Sequence, residues 1–190
     1  MVSKKKPKEL RKVYQIKVTL QEIRPPIWRR LEVLSDTTLE ELHQILQVAM
    51  GWADYHLHQF TIDGIEYGQP DPDYGSEVED ERKVKLLQVA PEENAKFIYE
   101  YDFGDSWQHT ILIEKILPVE KGKHYPICIK GKRACPPEDI GGPWGYTDFI
   151  EAVLEPTHPE HDDMLEWVGG EFDPEAFNIE EINENLKQIR

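Results

Sequence analysis

A chain of 190 residues that is 39% hydrophobic and 10% aromatic, with five Trp, has enough apolar mass for one well-buried core and is not a disordered chain. Its net charge of −15 is uneven: residues 136–190 carry fifteen acids against two bases, and the rest is nearly balanced. An acidic body repels a phosphate backbone. No apolar run reaches the length of a membrane span, the Lys-rich start has no signal-peptide core, and two cysteines without such a signal imply reduced thiols in a cytoplasm.

The first twelve residues hold six Lys/Arg against Glu9 and read as a flexible basic tail. Residues 13–190 read as a single domain, sheet-rich over 13–117 and made of loop and helix over 118–190. Val13–Ile23 alternates apolar and polar positions, as a half-buried strand does. Arg24-Pro25-Pro26 interrupts it, because proline cannot donate to a ladder. Ile27–Leu34 then alternates again. Thr38 with Glu41 has capping-box spacing, Leu39, Leu42, Ile45, Leu46 and Ala49 recur at helical intervals, and Gly51 stands at a C-terminal cap. This predicts a helix over 38–50.

His58–Ile62 and Ile65–Tyr67 flank Asp63-Gly64, a two-residue hairpin turn. Residues 69–83 read as an exposed loop, and 84–89 is ambiguous between strand and helix. Phe97–Phe103 and Trp107–Leu117 predict a second hairpin around Gly104-Asp105. Residues 118–145 read as irregular, and Tyr146–Leu154, His158–Val168 and Ile179–Ile189 as helices. The order predicts an α+β fold: two layers, a mostly antiparallel, β-grasp-like sheet with one crossing helix, and appended C-terminal helices.

Two sets of residues are candidates for function. The loop Ala134–Tyr146 alternates Pro and Gly and is therefore of defined shape, and being acidic and aromatic it is either a structural clasp or a recognition surface. With the strand at Trp28 it gives partner-binding candidates Trp28, Arg29, Arg30, Glu138, Asp139, Trp144 and Tyr146, for an unknown protein partner. The second set is His56, His58, Asp102, Asp105 and His109. If the hairpins converge, these could hold a divalent metal that activates water for a hydrolase or nuclease; otherwise no cofactor is expected. The DFG letters at 102–104 lack the loops a kinase needs and read as a tight turn. His158 and His161 read as helix-start residues, and Cys128 and Cys135, with His124 upstream, as inert thiols rather than a zinc clip. Lys121, Lys123, Lys130, Lys132 and Arg133 form one basic island, and Arg24, Arg29 and Arg30 another. Together with the Lys tail they leave open a nucleic-acid-binding accessory role.

Ile27-Trp28-Arg29-Arg30, Thr38-Leu39 with Leu42-His43, Ala49-Met50-Gly51-Trp52, His56-Leu57-His58-Gln59-Phe60, Tyr99–Asp105 with Trp107 and His109, the Ala134–Tyr146 loop, Trp167 and Phe172-Asp173-Pro174-Glu175 run in the order of the plasmid pRiA4b ORF-3-like family, which the chain resembles almost end to end. The resemblance implies a mobile-element-associated protein with one two-layer α/β unit, and it brings no particular reaction. Many relatives have a cysteine where this chain has Ile140, which weakens any metal or disulfide role for that loop. The sequence-based reading is therefore a non-enzymatic binding or accessory module.

Overall fold

The computed structural model describes residues 11–71 and 78–189, so most of the predicted basic tail lies outside the described residues. β1 (Lys12–Leu20) and β2 (Trp28–Leu34) pair antiparallel, with Ile16 opposite Leu31. Helix α1 (Leu39–Met50) follows, with both halves of the Thr38–Glu41 capping box formed and Gly51 in the left-handed region at its C-terminus. β3 (His58–Ile62) and β4 (Ile65–Gly68) form the hairpin around Asp63-Gly64, whose φ values of 50° and 80° are those of a twisted two-residue turn. A two-residue strand, β5 (Glu79–Asp80), a single 3-10 turn (Glu81–Lys83) and a one-turn helix, α2 (Leu86–Val89), lead to β6 (Lys96–Tyr101) and β7 (Trp107–Pro118), the second hairpin. β8 (Ile127–Lys132) pairs with β2, and α3 (Gly142–Leu154), α4 (His161–Trp167) and α5 (Ile179–Leu186) close the described chain.

The fold is mixed α+β. Among the described residues, eight strands form one open sheet in the order β5-β4-β3-β6-β7-β1-β2-β8, antiparallel except for the β4–β5 pair. The inner face carries Tyr14, Ile16 and Val18 from β1, Leu31 and Val33 from β2, Phe60 and Ile62 from β3, Phe97, Tyr99 and Tyr101 from β6, and Trp107, Ile111 and Ile113 from β7. α1 lays Leu39, Leu42, Ile45, Leu46 and Ala49 into the same core cluster. Burying side chains of this size stabilises by about 1.5–3 kcal/mol each. The alternation places Lys17, Trp28 and Arg30 on the opposite face.

Two segments depart from expectation. Residues 127–132, read as irregular, form edge strand β8, in which Cys128 alone is buried, so the strand leaves no apolar alternation in the sequence. The stretch 69–83, read as an exposed loop, contains Glu81, whose side chain is fully buried against the sheet. Among the described residues no helix is long and apolar enough to cross a membrane.

Candidate functional site: a histidine–carboxylate cleft

The inner face turns polar where α1 meets β3 and β6. His43 and Gln47, one helical turn apart, point from the buried stripe of α1 toward Tyr99. Tyr99 Oη lies 2.8 Å from His43 Nδ1 and accepts from Gln47 Nε2 at 2.9 Å. His43 Nε2 faces Asp54 Oδ1 at 2.9 Å, and the Asp54 backbone N–H donates to Gln47 Oε1. The first residue of β3, His58, stacks on His43 with ring centroids 3.4 Å apart and planes 4° from parallel. Its Nε2 lies 2.8 Å from Oε2 of the buried Glu81. Burial first, and then His58, hold the pKa of His43 down at about 4, so His43 is neutral at pH 7.

A second cluster flanks the first. Nε2 of His56 lies 3.1 Å from Asp139 Oδ1 and 3.6 Å from Asp102 Oδ2. Asp102 adopts φ 57°, and its Oδ1 accepts from the backbone N–H groups of Gly104 and Asp105, which leaves Oδ2 to face His56. The Ala134–Tyr146 loop is seated on this corner. Tyr101 donates to Glu138 Oε1 at 2.5 Å, Ala53 N–H donates to Glu138 Oε2, Trp52 Nε1 donates to the Pro136 carbonyl, and Gly141 N–H donates to Asp105 Oδ2. Burial and then the Glu138 carboxylate raise the Tyr101 pKa, so the phenol keeps its proton for that bond. Asp54, His56, His58, Gly68 and Phe103 line a cleft of about 840 Å³, with exposed Tyr55 and Leu57 on its rim.

The five predicted metal ligands therefore do not share one centre. His58 belongs to the His43–Asp54 group, and His56 and Asp102 join Asp139 instead. His56 precedes the start of β3, so the two-residue period that would align it with His58 does not hold there. Asp105 is committed to Gly141. His109 is fully buried in β7, with Nδ1 3.3 Å from the Tyr99 carbonyl and its ring edge-on to Trp52.

The partner-binding candidates also divide. Arg29 and Tyr146 are 3% and 4% exposed and cannot form a contact surface, because Arg29 turns inward on β2 and Tyr146 packs beside Phe149 and Phe172. Trp28 and Arg30 lie on the far face of the sheet, where Arg30 is held by both oxygens of Glu114. Trp144 is 84% exposed, Asp139 is exposed, and Glu138 faces Tyr101. The two basic islands do meet, since Trp28 and Arg30 pair with Lys132 and Lys130, but Arg29 and Arg133 turn inward. The thiols diverge: Cys135 Sγ accepts from Arg29 at 3.0 Å, and Cys128 Sγ donates toward the Lys130 carbonyl. Burial pushes Cys135 up to about 11, which rules out a ready thiolate. His161 donates from Nδ1 to the Ala152 carbonyl, a helix-packing role.

His109 supplies a pH test of stability. Burial lowers its pKa from 6.5 to about 4. The unfolded chain takes up this proton near pH 6.5 and the folded chain resists until about pH 4. The contribution is therefore complete above pH 6.5 and is lost as pH falls through that window, by up to about 1.4 kcal/mol per unit and about 3 kcal/mol in all. His109→Phe should flatten this part of a urea-midpoint profile measured from pH 8 to 4; an unchanged slope would place the titration elsewhere.

Fold and site together define a protein with helices packed on one face of an antiparallel sheet and a histidine–carboxylate cleft at the α1–β3–β6 corner. The chain belongs to the plasmid pRiA4b ORF-3-like protein family, which it matches over residues 12–181. It is 41% identical over 179 residues, 93% of its length and 92% of the relative's, to "Uncharacterized protein y4hQ" of Sinorhizobium fredii (strain NBRC 101917 / NGR234). It also superposes with a TM-score of 0.80 and 40% identity on the crystal structure of a "Protein of Unknown Function MM3350" from Methanosarcina mazei Go1, covering 90% of this chain and 97% of that one.

Proposed function

We propose that the protein is a non-enzymatic binding module that docks a basic, apolar-anchored protein segment across the mouth of the cleft. One observation carries this reading. Tyr55, Leu57 and Phe103 are 78%, 66% and 50% exposed beside the cleft of a chain whose core is otherwise well filled. Apolar side chains grouped around a concave site mark a contact surface. Asp54, Glu138 and Asp139 stand next to them, which favours Lys or Arg on the partner. Trp144 extends the surface, since α3 begins against the same β6–β7 turn. The family's description supports an accessory role on a plasmid or other mobile element, and two free cysteines suit a cytoplasmic setting. The helix crossing one face of the sheet is what supports the β-grasp likeness.

The test is site-specific photo-crosslinking from position 103, followed by titration of the purified partner so identified. Phe103→Ala and Trp144→Ala should each weaken binding at least about tenfold without moving the thermal midpoint, because both side chains are exposed. Binding should also weaken with added salt. Undiminished binding by the double variant would overturn this surface.

A further inference from the structure

We infer that the outer face of the sheet, centred on β1, β2 and β8, is a binding surface for single-stranded nucleic acid. It does not depend on the docking surface proposed above, which lies at the α1–β3–β6 corner of the other face. The strand register shows how the surface is built. Lys96 lies opposite Leu112, Leu112 opposite Lys17, Lys17 opposite Arg30, and Arg30 opposite Lys130. Four cations and one leucine therefore form a continuous row across β6, β7, β1, β2 and β8. At the usual spacing of neighbouring strands this row is about 19 Å long. The next row, about 6.6 Å further along the strands, holds Ile98, Thr110, Thr19, Trp28 and Lys132.

Like charges directly opposite one another cost a sheet stability, and here three follow in succession on β1, β2 and β8. Within the row, only Arg30 has a carboxylate partner among the described residues. Glu114 holds its Nε and Nη2 and leaves Nη1 free. Lys130 and Lys132 are exposed. Unpaired cations held in line by backbone pairing are complementary to an anion that repeats, and a phosphodiester chain is such an anion. The second row indicates the form of that chain. Phosphates on Lys17, Arg30 and Lys130 would leave the bases over the largely uncharged second row, where Trp28 offers an indole. Lys17 Nζ and Arg30 Cζ lie 5.2 and 5.3 Å from its ring centroid. A base stacked on an indole is held more strongly than an exposed cation over the same ring, so the base displaces the cations and hands them to the phosphates. Duplex DNA is read by a helix or ribbon that enters a groove, whereas an open sheet face takes bases that are already unstacked. The negative charge of the chain is concentrated elsewhere. Residues 136–190 hold fifteen acids against two bases. That third folds onto the inner face, where Tyr146, Phe149, Val153 and Leu186 join the core cluster.

The test is fluorescence anisotropy of the full chain with a labelled oligothymidylate of about 15 nucleotides at low salt. Binding is expected, and the logarithm of the affinity should fall against the logarithm of salt concentration with a slope of about −3, as four phosphate contacts on a single strand require. Lys130→Glu combined with Lys132→Glu should weaken binding at least about tenfold. Trp28→Ala should weaken it at least about fivefold. Lys130→Glu alone should not lower the thermal midpoint, because it relieves the repulsion with Arg30. Phe103→Ala should bind the oligonucleotide as the wild type does, which separates the fate of this surface from that of the docking site. No binding at low salt, equal affinity for a duplex of the same length or for polyglutamate, or binding that the Lys130 and Lys132 changes spare would overturn the assignment.

Discussion

Arg29→Ala should destabilise the protein by about 3–5 kcal/mol, a large fraction of the roughly 5–15 kcal/mol that holds a typical domain folded. The Arg29 guanidinium is 3% exposed and has no carboxylate partner among the described residues. It is held by acceptors: Nε donates to the Ala49 carbonyl at 2.9 Å, Nη1 to the Trp28 and Lys132 carbonyls at 2.9 and 3.0 Å, and Nη2 to the Arg133 carbonyl at 2.9 Å and Cys135 Sγ at 3.0 Å. Phe177 lies against its plane at 4.8 Å. The Ala49 carbonyl belongs to the last turn of α1, which has no basic residue of its own. Helix C-termini carry partial negative charge and unpaired carbonyls, so a cation from β2 completes α1 from outside. One side chain therefore ties together α1, β2, β8 and the start of the Ala134–Tyr146 loop. Arg29→Met would keep much of the volume and leave four carbonyls without their donor, and should lose about 2–3 kcal/mol. Arg29→Lys keeps the charge but lacks the planar fork, and should fall between wild type and alanine. Urea denaturation of the three variants checks the series. A loss under about 1 kcal/mol for alanine would show that the carbonyls find other partners.

The sequence discloses those parts of this fold that local chemistry determines. Thr38, Glu41 and Gly51 announce both ends of α1, and Asp63-Gly64 announces the first hairpin, because caps and tight turns are built from the residues that occupy them. β8 is invisible because an edge strand with one buried side chain has no face to pattern, and its pairing with β2 is a tertiary event. The site was half readable. His56, His58 and Asp102 are recognisable ligand types, and all three reach the cleft corner. Their grouping could not be read, since it depends on where β3 begins and on residues brought from far along the chain. His43 and Gln47 do leave a trace: two polar side chains four residues apart on the apolar stripe of α1 are a cost unless something meets them. Glu81 leaves none, because an acid in a charged stretch looks like a solvated loop until β5 carries it under the sheet. Arg29 shows the opposite error. A basic residue beside an aromatic one suggests a surface, but strand alternation sends Trp28 and Arg29 to opposite faces.

The seating of the Ala134–Tyr146 loop can be tested at a single atom. A Cβ added at Gly142 would lie 2.3 Å from the Asp105 carbonyl oxygen and 3.2 Å from its carbon, and Gly142 has φ +68°. Both obstacles are backbone, so no side-chain movement relieves them. Gly142→Ala should therefore push the start of α3 away from the β6–β7 turn and cost about 2–4 kcal/mol. Gly122→Ala is the matched control. Its φ is +86°, yet nothing lies within 4 Å of an added Cβ, so it carries the backbone strain alone, about 1 kcal/mol. The difference between the two variants isolates the contact with Asp105. A displaced loop would also withdraw Glu138 from Tyr101 and Asp139 from His56. Hydrogen exchange at the Ala53 and Gly141 amides, which donate to Glu138 and Asp105, should accelerate in Gly142→Ala and stay slow in Gly122→Ala. Equal losses of stability in the two variants, with both amides still protected, would mean that the loop does not rest on the hairpin and that the acidic side of the cleft is held by something else.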